Sequence, residues 1–173
     1  TGIEDNMTKY YIDATGNYLG GFDGAVPPAG SIEVSFPPSD ARHIWNGTAW
    51  ERPLALAKSQ KISALSAACK AELTAGVVSS ALGSAHKYDG ELEWQLNLAG
   101  AKDYAVANNV SVDFTCTNQT TGVKAAVAHT PAQIQTVFND GAAFKMARLS
   151  RFRALKTQVE AATTVAAVEA VNW

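Results

Sequence analysis

Three histidines, His43, His86 and His129, and two cysteines, Cys69 and Cys116, are the side chains of this 173-residue chain best suited to ligate a metal or to act as base and nucleophile. Their spacing does not assemble that chemistry. No histidine has a second histidine or a carboxylate one helical turn away on a stretch with helical periodicity, the placement that puts two ligands on one face. The cysteines stand far apart with no C-x-x-C between them, so two buried thiols are expected rather than a disulfide or a metal pair. Glu91 and Glu93 are two residues apart and point to different sides of a helix, so they do not form an acid–base pair. Gly20-Gly21-Phe22-Asp23-Gly24 is rich in glycine but lacks the strand–loop–helix setting that cradles a phosphate. No nucleophile elbow or dinucleotide fingerprint occurs. The expectation is a chain with no catalytic residues, no metal site and no cofactor, whose histidines are hydrogen-bonded parts of the fold.

Aromatic residues carry the remaining signal. The stretch HIWNGTAW, residues 43–50, sets two of the four tryptophans around Asn46-Gly47. Asn-Gly is a strong hairpin signal, because a type I′ turn needs positive φ at both central positions. In that register Trp45 opposes Thr48 and His43 opposes Trp50. The two indoles are then diagonal neighbours on a face shared by His43, Trp45, Thr48 and Trp50. Such a face either staples a small core or anchors a partner. Trp45, Trp50 and His43, extended by Tyr18 and Phe22, are therefore the candidate partner-binding residues. Trp94 is expected in a core, and Trp173 is expected to dock the end of the chain. Lys145 and Arg148 with Arg151 or Lys156 form a second candidate, a basic stripe that is either solvated or meets an acidic partner.

The elements that must position these residues change character once. Residues 8–52 read as short strands: a hairpin broken at Thr15-Gly16-Asn17, an alternating strand of Ile32, Val34 and Phe36 stopped by Pro37-Pro38, then the tryptophan hairpin. From Pro53 the chain turns alanine-rich and helical, with Ile62, Leu65, Cys69 and Leu73 in one stripe that Gly76 ends. A hairpin around Gly83-Ser84 follows, then a helix with a stripe of Leu92, Leu96 and Tyr104, then a hairpin around residues 118–121. Thr130-Pro131-Ala132-Gln133 is a capping-box helix start. Its stripe runs through Ile134, Val137, Phe138, Leu149, Phe152 and Val159, and Gly141 interrupts it at a place for a kink or break. Thr163-Thr164 begins a short last helix. The expected fold is α+β: a small N-terminal antiparallel β module at 8–52, then an α+β domain of long helices and β-hairpins at 53–173. Residues 1–7 are expected to be a tag or leader remnant.

Composition narrows the function. The formal net charge is −2, with 47% apolar and 17% charged residues. That argues against a nucleic-acid binder, which needs a basic surface for phosphates. No apolar run reaches the length of about 18 residues that a membrane span requires.

YYIDATGNYLGGFDG, the proline-bounded strand and the closing WNGTAW together resemble the N-terminal part of tailed-phage tail-fibre assembly proteins. LGSAHKYDGELEWQLNLAGA, VKAAVAHTPAQIQTVF and the ending VEAATTVAAVEAVNW resemble an uncharacterised C-terminal domain common in phage and prophage tail proteins. The resemblance covers nearly the whole chain after Met7 and implies no catalytic residue. It implies a chaperone-like protein that binds the C-terminal end of a trimeric tail fibre. Such a protein would act in the bacterial host cytoplasm during assembly or remain in the virion tail. The alternatives are a structural tail or baseplate subunit and a receptor- or glycan-binding module. The partner implied is a tail-fibre protein; nothing fixes the oligomeric state.

Overall fold

A computed structural model describes residues 7–173; of the expected 1–7 remnant only Met7, which is exposed, falls within them. The fold is α+β. It separates into two compact units, one running to Lys61 with Val159–Val171, the other Ile62–Gln158 with Asn172–Trp173. The division does not fall at the change of composition at Arg52-Pro53. Two long helices, α1 (Leu54–Thr74) and α3 (Pro131–Ala161), each run through both units.

The first unit holds β1 (Lys9–Ile12), β2 (Tyr18–Phe22) and β3 (Ile32–Val34) in a sheet of order β2-β1-β3, and the small pair β4 (Ile44–Trp45) and β5 (Trp50–Glu51). The β1–β2 turn is built on Asp13, whose carboxylate accepts from the Thr15 and Asn17 backbone N–H groups at 2.8 and 3.0 Å. The Asn17 and Thr15 side chains also donate to it, and these bonds hold the carboxyl well below the usual range. Gly16 follows at φ +86°. A Cβ there would sit 2.4 Å from the Trp45 carbonyl oxygen, so only glycine lets the turn receive the tryptophan hairpin. The alternation expected of Ile32, Val34 and Phe36 holds only in part: Val34 is buried, while Ile32 and Phe36 are about half exposed. Three short strands cannot cover both faces.

Cations on α1 close two helix ends in this unit. Lys58 donates to the Glu160 carbonyl at 2.7 Å near the end of α3, and Lys61 donates to the Glu169 carbonyl at 3.1 Å. Glu169 ends the short helix α4 (Val165–Glu169), capped at its start by the Thr164 hydroxyl, which accepts from Ala167 N–H at 3.1 Å. Unsatisfied C-terminal carbonyls carry partial negative charge, which the ammonium groups offset.

The second unit is an antiparallel sheet of β6 (Val77–Ser79), β7 (His86–Tyr88), β8 (Val112–Asn118) and β9 (Lys124–His129), in that order. Between β7 and β8 the chain forms α2 (Leu92–Asn108). Phe114 and Cys116 alternate inward along β8 and meet Ala105 of α2 and Ile134 and Val137 of α3. This is the period-two pattern of a sheet covered on one face. On α2 the buried face differs from the expected stripe. Leu92, Leu96 and Tyr104 are 61–70% exposed, whereas Trp94, Leu98, Ala101 and Ala105 pack inward. Both sets have helical spacing, and the small Ala101 and Ala105 let the helix approach the sheet. The capping box of α3 forms in both directions: Thr130 N–H donates to Gln133 Oε1 at 2.8 Å, and Gln133 N–H to Thr130 Oγ1 at 3.3 Å. Gly141 does not break this 31-residue helix, which runs on through it.

Candidate functional site

The tryptophan hairpin adopts a register different from the expected one. Trp45 pairs directly with Trp50, and Ile44 with Glu51, leaving residues 46–49 as a four-residue turn. Gly47 has φ +103°, but Asn46 does not take positive φ, so the turn is not type I′. The cause is the Asn46 side chain. Its Oδ1 accepts from the backbone N–H groups of Thr48 and Ala49 at 2.9 and 2.8 Å, an Asx arrangement that closes a longer loop. Glu51 secures it by accepting from Asn46 Nδ2 at 2.5 Å. Direct opposition brings the indole centroids to 5.3 Å at 66°.

Around this pair an aromatic cluster gathers. Tyr18 meets Trp50 edge-on at 5.7 Å, and Phe36 meets Trp45 at 5.6 Å. Trp50 Nε1–H donates to the Phe36 carbonyl at 2.9 Å. Trp45 N–H donates to the Gly16 carbonyl at 2.9 Å, so the hairpin is bonded to the β1–β2 turn. The rings are neither sealed nor free: Tyr18, Trp45 and Trp50 are half-buried and Phe36 is 49% exposed. With planes at 66–90° to one another they form an edge-to-face knot rather than a flat stacking platform.

Of the five candidate partner-binding residues, three come together: Tyr18, Trp45 and Trp50. Phe22 does not join them. A register shift between Tyr11 and Ile12 sets Tyr18 opposite Ile12 and leaves Leu19 without a partner on β1, while Phe22 stays opposite Lys9. Opposed residues share a face, so the bulge re-aims Tyr18 toward the tryptophans and leaves Phe22 packed against Tyr11 at 5.5 Å. His43 lies just before β4, half-buried, with its backbone N–H donating to the Asp40 carbonyl at 2.9 Å. Asp40 itself is held well below the usual carboxylate range by the side-chain hydrogen bond from Arg42, which also pairs with it at 2.6 Å. Phe36 belongs to the cluster and was not among the candidates. Its signal was its place two residues past the buried Val34 and directly before Pro37.

In the second unit a pairing that spacing could not show joins Cys116 and His129 through Tyr88, all three 2% exposed or less. His129 Nδ1 lies 2.7 Å from the Val127 carbonyl, an oxygen that only accepts, so Nδ1 carries the proton. Nε2 is then an acceptor, and the Tyr88 hydroxyl donates to it across 2.8 Å. The Cys116 thiol also interacts with the Tyr88 hydroxyl. Burial raises the thiol and phenol pKa values and lowers that of His129, so all three stay neutral at neutral pH. A neutral, buried thiol is a poor nucleophile. The network acts as a satisfied polar knot in the core. His86 is also hydrogen-bonded and buried, its Nδ1 2.9 Å from the Ser84 carbonyl. Among the described residues no three histidine, cysteine or acidic side chains gather to hold a metal ion, and no helix is long and apolar enough to cross a membrane.

The basic stripe of α3 is largely engaged within its own unit. Arg148 pairs with Glu72 at 2.5 Å and lies over the Phe144 ring at 4.3 Å, and Arg151 lies over Trp173 at 4.8 Å. Trp173 Nε1–H donates to Glu72 Oε1 at 2.7 Å. The indole bond, then Arg148, holds Glu72 below the usual glutamate range.

Sequence reasoning also missed a cleft of about 310 Å³ in the second unit. Its apolar wall includes Trp94, Phe114, Phe138 and Phe144, and its charged lining residues are Asp89 and Lys145. Gly90 lets the chain pass close to the end of α1, since a Cβ there would lie 1.8 Å from the Leu73 carbonyl oxygen.

The fold and these sites define an α+β protein with a surface aromatic cluster and an apolar cleft. The chain belongs to the family described as domain of unknown function (DUF4376), whose profile matches residues 56–172. No curated protein and no solved structure matches it.

Proposed function

We propose that this chain is a non-catalytic binding protein of the phage tail region, an assembly chaperone or fibre-tip protein that engages the C-terminal end of a trimeric tail fibre. The observation that carries the reading is the Tyr18–Phe36–Trp45–Trp50 cluster, four large rings left partly accessible on a small β module. Clustered tryptophan and tyrosine side chains are the residues that most often dominate binding energy at interfaces. The resemblance of the β module to tail-fibre assembly proteins supplies the partner class. Trimeric β fibres have exposed strand edges and slow, non-local pairing, so a protein covering their ends suppresses misassembly. The site of action under this reading is the host cytoplasm during assembly.

Co-expression with the tail-fibre protein of the same genome tests it. The expected result is a stable complex and soluble fibre only when this chain is present. Trp45→Ala and Trp50→Ala are expected to weaken the complex at least about tenfold, the loss typical of a hot-spot residue. A soluble fibre without this chain, and no co-purification, would reject the reading. Recovery at fixed stoichiometry from purified virions would make the chain a structural tail subunit instead.

A further inference from the structure

The geometry assigns the cleft of the second unit to a small apolar monocarboxylate, an acyl or aryl chain ending in a carboxylate. The inference stands apart from the aromatic cluster and does not rest on the fibre reading. It begins with Gly141. A glycine inside a helix costs about 1 kcal/mol relative to alanine. Packing does not require this one. Its φ is not in the left-handed region, and outside its chain neighbours and its own helix backbone a Cβ built on it would come no closer than 3.8 Å to any atom, the nearest being Val77 Cγ1. What the missing side chain leaves open is the cleft, which Gly141 lines together with Phe138 and Lys145. Residues 138, 141 and 145 lie three and four apart, so one face of α3 supplies an aromatic wall, a gap and a cation in order.

The charges select the sign of the ligand. Asp89 is neutralised by Lys124 at 2.7 Å. Lys145 donates to Gln95 Oε1 at 2.8 Å, a neutral partner, and among the described residues it has no carboxylate within ion-pair distance. Gln95 is held in turn by its Nε2–H bond to the Gly90 carbonyl at 2.7 Å. The cleft therefore combines an apolar interior with one uncompensated ammonium at a fixed donor site. That is the complement of a carboxylate on a hydrocarbon or aromatic tail. A cationic tail of the same length is repelled by Lys145, and an alcohol gains only a weaker hydrogen bond there than a carboxylate does.

Equilibrium dialysis of the full chain against decanoate, 3-phenylpropionate, decanol and decylammonium tests the assignment. The expected result is one carboxylate bound per chain, with decanol at least about tenfold weaker and decylammonium weaker still. The arm that binds, decanoate or 3-phenylpropionate, tells an acyl from an aryl source. Lys145→Met keeps the aliphatic stem on an exposed position and is expected to erase the preference for carboxylate over decanol. Gly141→Leu fills the cleft and is expected to abolish binding with helical circular dichroism unchanged. Failure of both carboxylates to bind, equal binding of decanol, or undiminished binding by either variant would overturn the proposal.

Discussion

Tyr88 and His129 show how single atoms are settled in the core of the second unit. Because the Val127 carbonyl takes the Nδ1 proton, Nε2 depends on the Tyr88 hydroxyl as its donor. Tyr88→Phe keeps the ring but strands that acceptor, and a loss of about 1–3 kcal/mol in urea unfolding is expected. The same network sets a pH dependence. Burial lowers the folded-state pKa of His129, so the unfolded chain binds a proton more readily than the folded one. Stability is then present above the ordinary histidine value of about 6.5 and is lost as pH falls through the lowered folded value. The urea midpoint of the wild type is expected to fall between about pH 7.5 and about pH 5.5, and to fall less in His129→Gln.

At the scale of elements, caps and turns decide placement. The reciprocal bonds of Thr130 and Gln133 satisfy two N–H groups at the start of α3, so Thr130→Ala is expected to lower stability by about 1 kcal/mol without altering helical content. The β1–β2 turn is less forgiving. Gly16→Ala places a methyl group against the Trp45 carbonyl at positive φ. It is expected to loosen the tryptophan hairpin, seen as increased quenching of tryptophan fluorescence by acrylamide, while the helical signal stays. These starts and stops could be read from local sequence because a capping box or a left-handed glycine is decided within a few residues. The β4–β5 register could not. Asn46-Gly47 is compatible with two turns, and the longer one wins through the Asx bonds and the Glu51 contact.

At the scale of the whole chain, the C-terminal residue ties back through Glu72. The indole N–H of Trp173 is the largest influence lowering the Glu72 pKa. In Trp173→Phe, with the N–H removed, NMR titration of the Glu72 carboxyl is expected to show its pKa rising toward the ordinary value of about 4.3. The sign means that the tie is present above that value and weakens as pH falls below it. Both cysteines are buried, at 4% and 2% exposure, and burial raises the Cys116 thiol pKa further. Thiol labelling at about pH 8 is expected to be slow in the native chain and to follow the rate of unfolding as urea is added.

Sequence by itself determined the α+β class, the order of strands and helices, the capping of α3 and α4 and the burial of both thiols. Each follows from periodicity, turn chemistry or hydrophobicity acting within about a dozen residues. Tertiary structure alone decided which of two helical stripes on α2 faces the sheet, because Leu92 and Trp94 are both apolar and only their neighbours choose between them. It also split the candidate partner residues, since one bulge in β2 sends Tyr18 to the tryptophans and leaves Phe22 with Tyr11. The cleft is the extreme case. Its walls come from α1, the β6–β7 hairpin, α2, β8 and α3, residues distant in sequence that only packing brings around the space Gly141 leaves open.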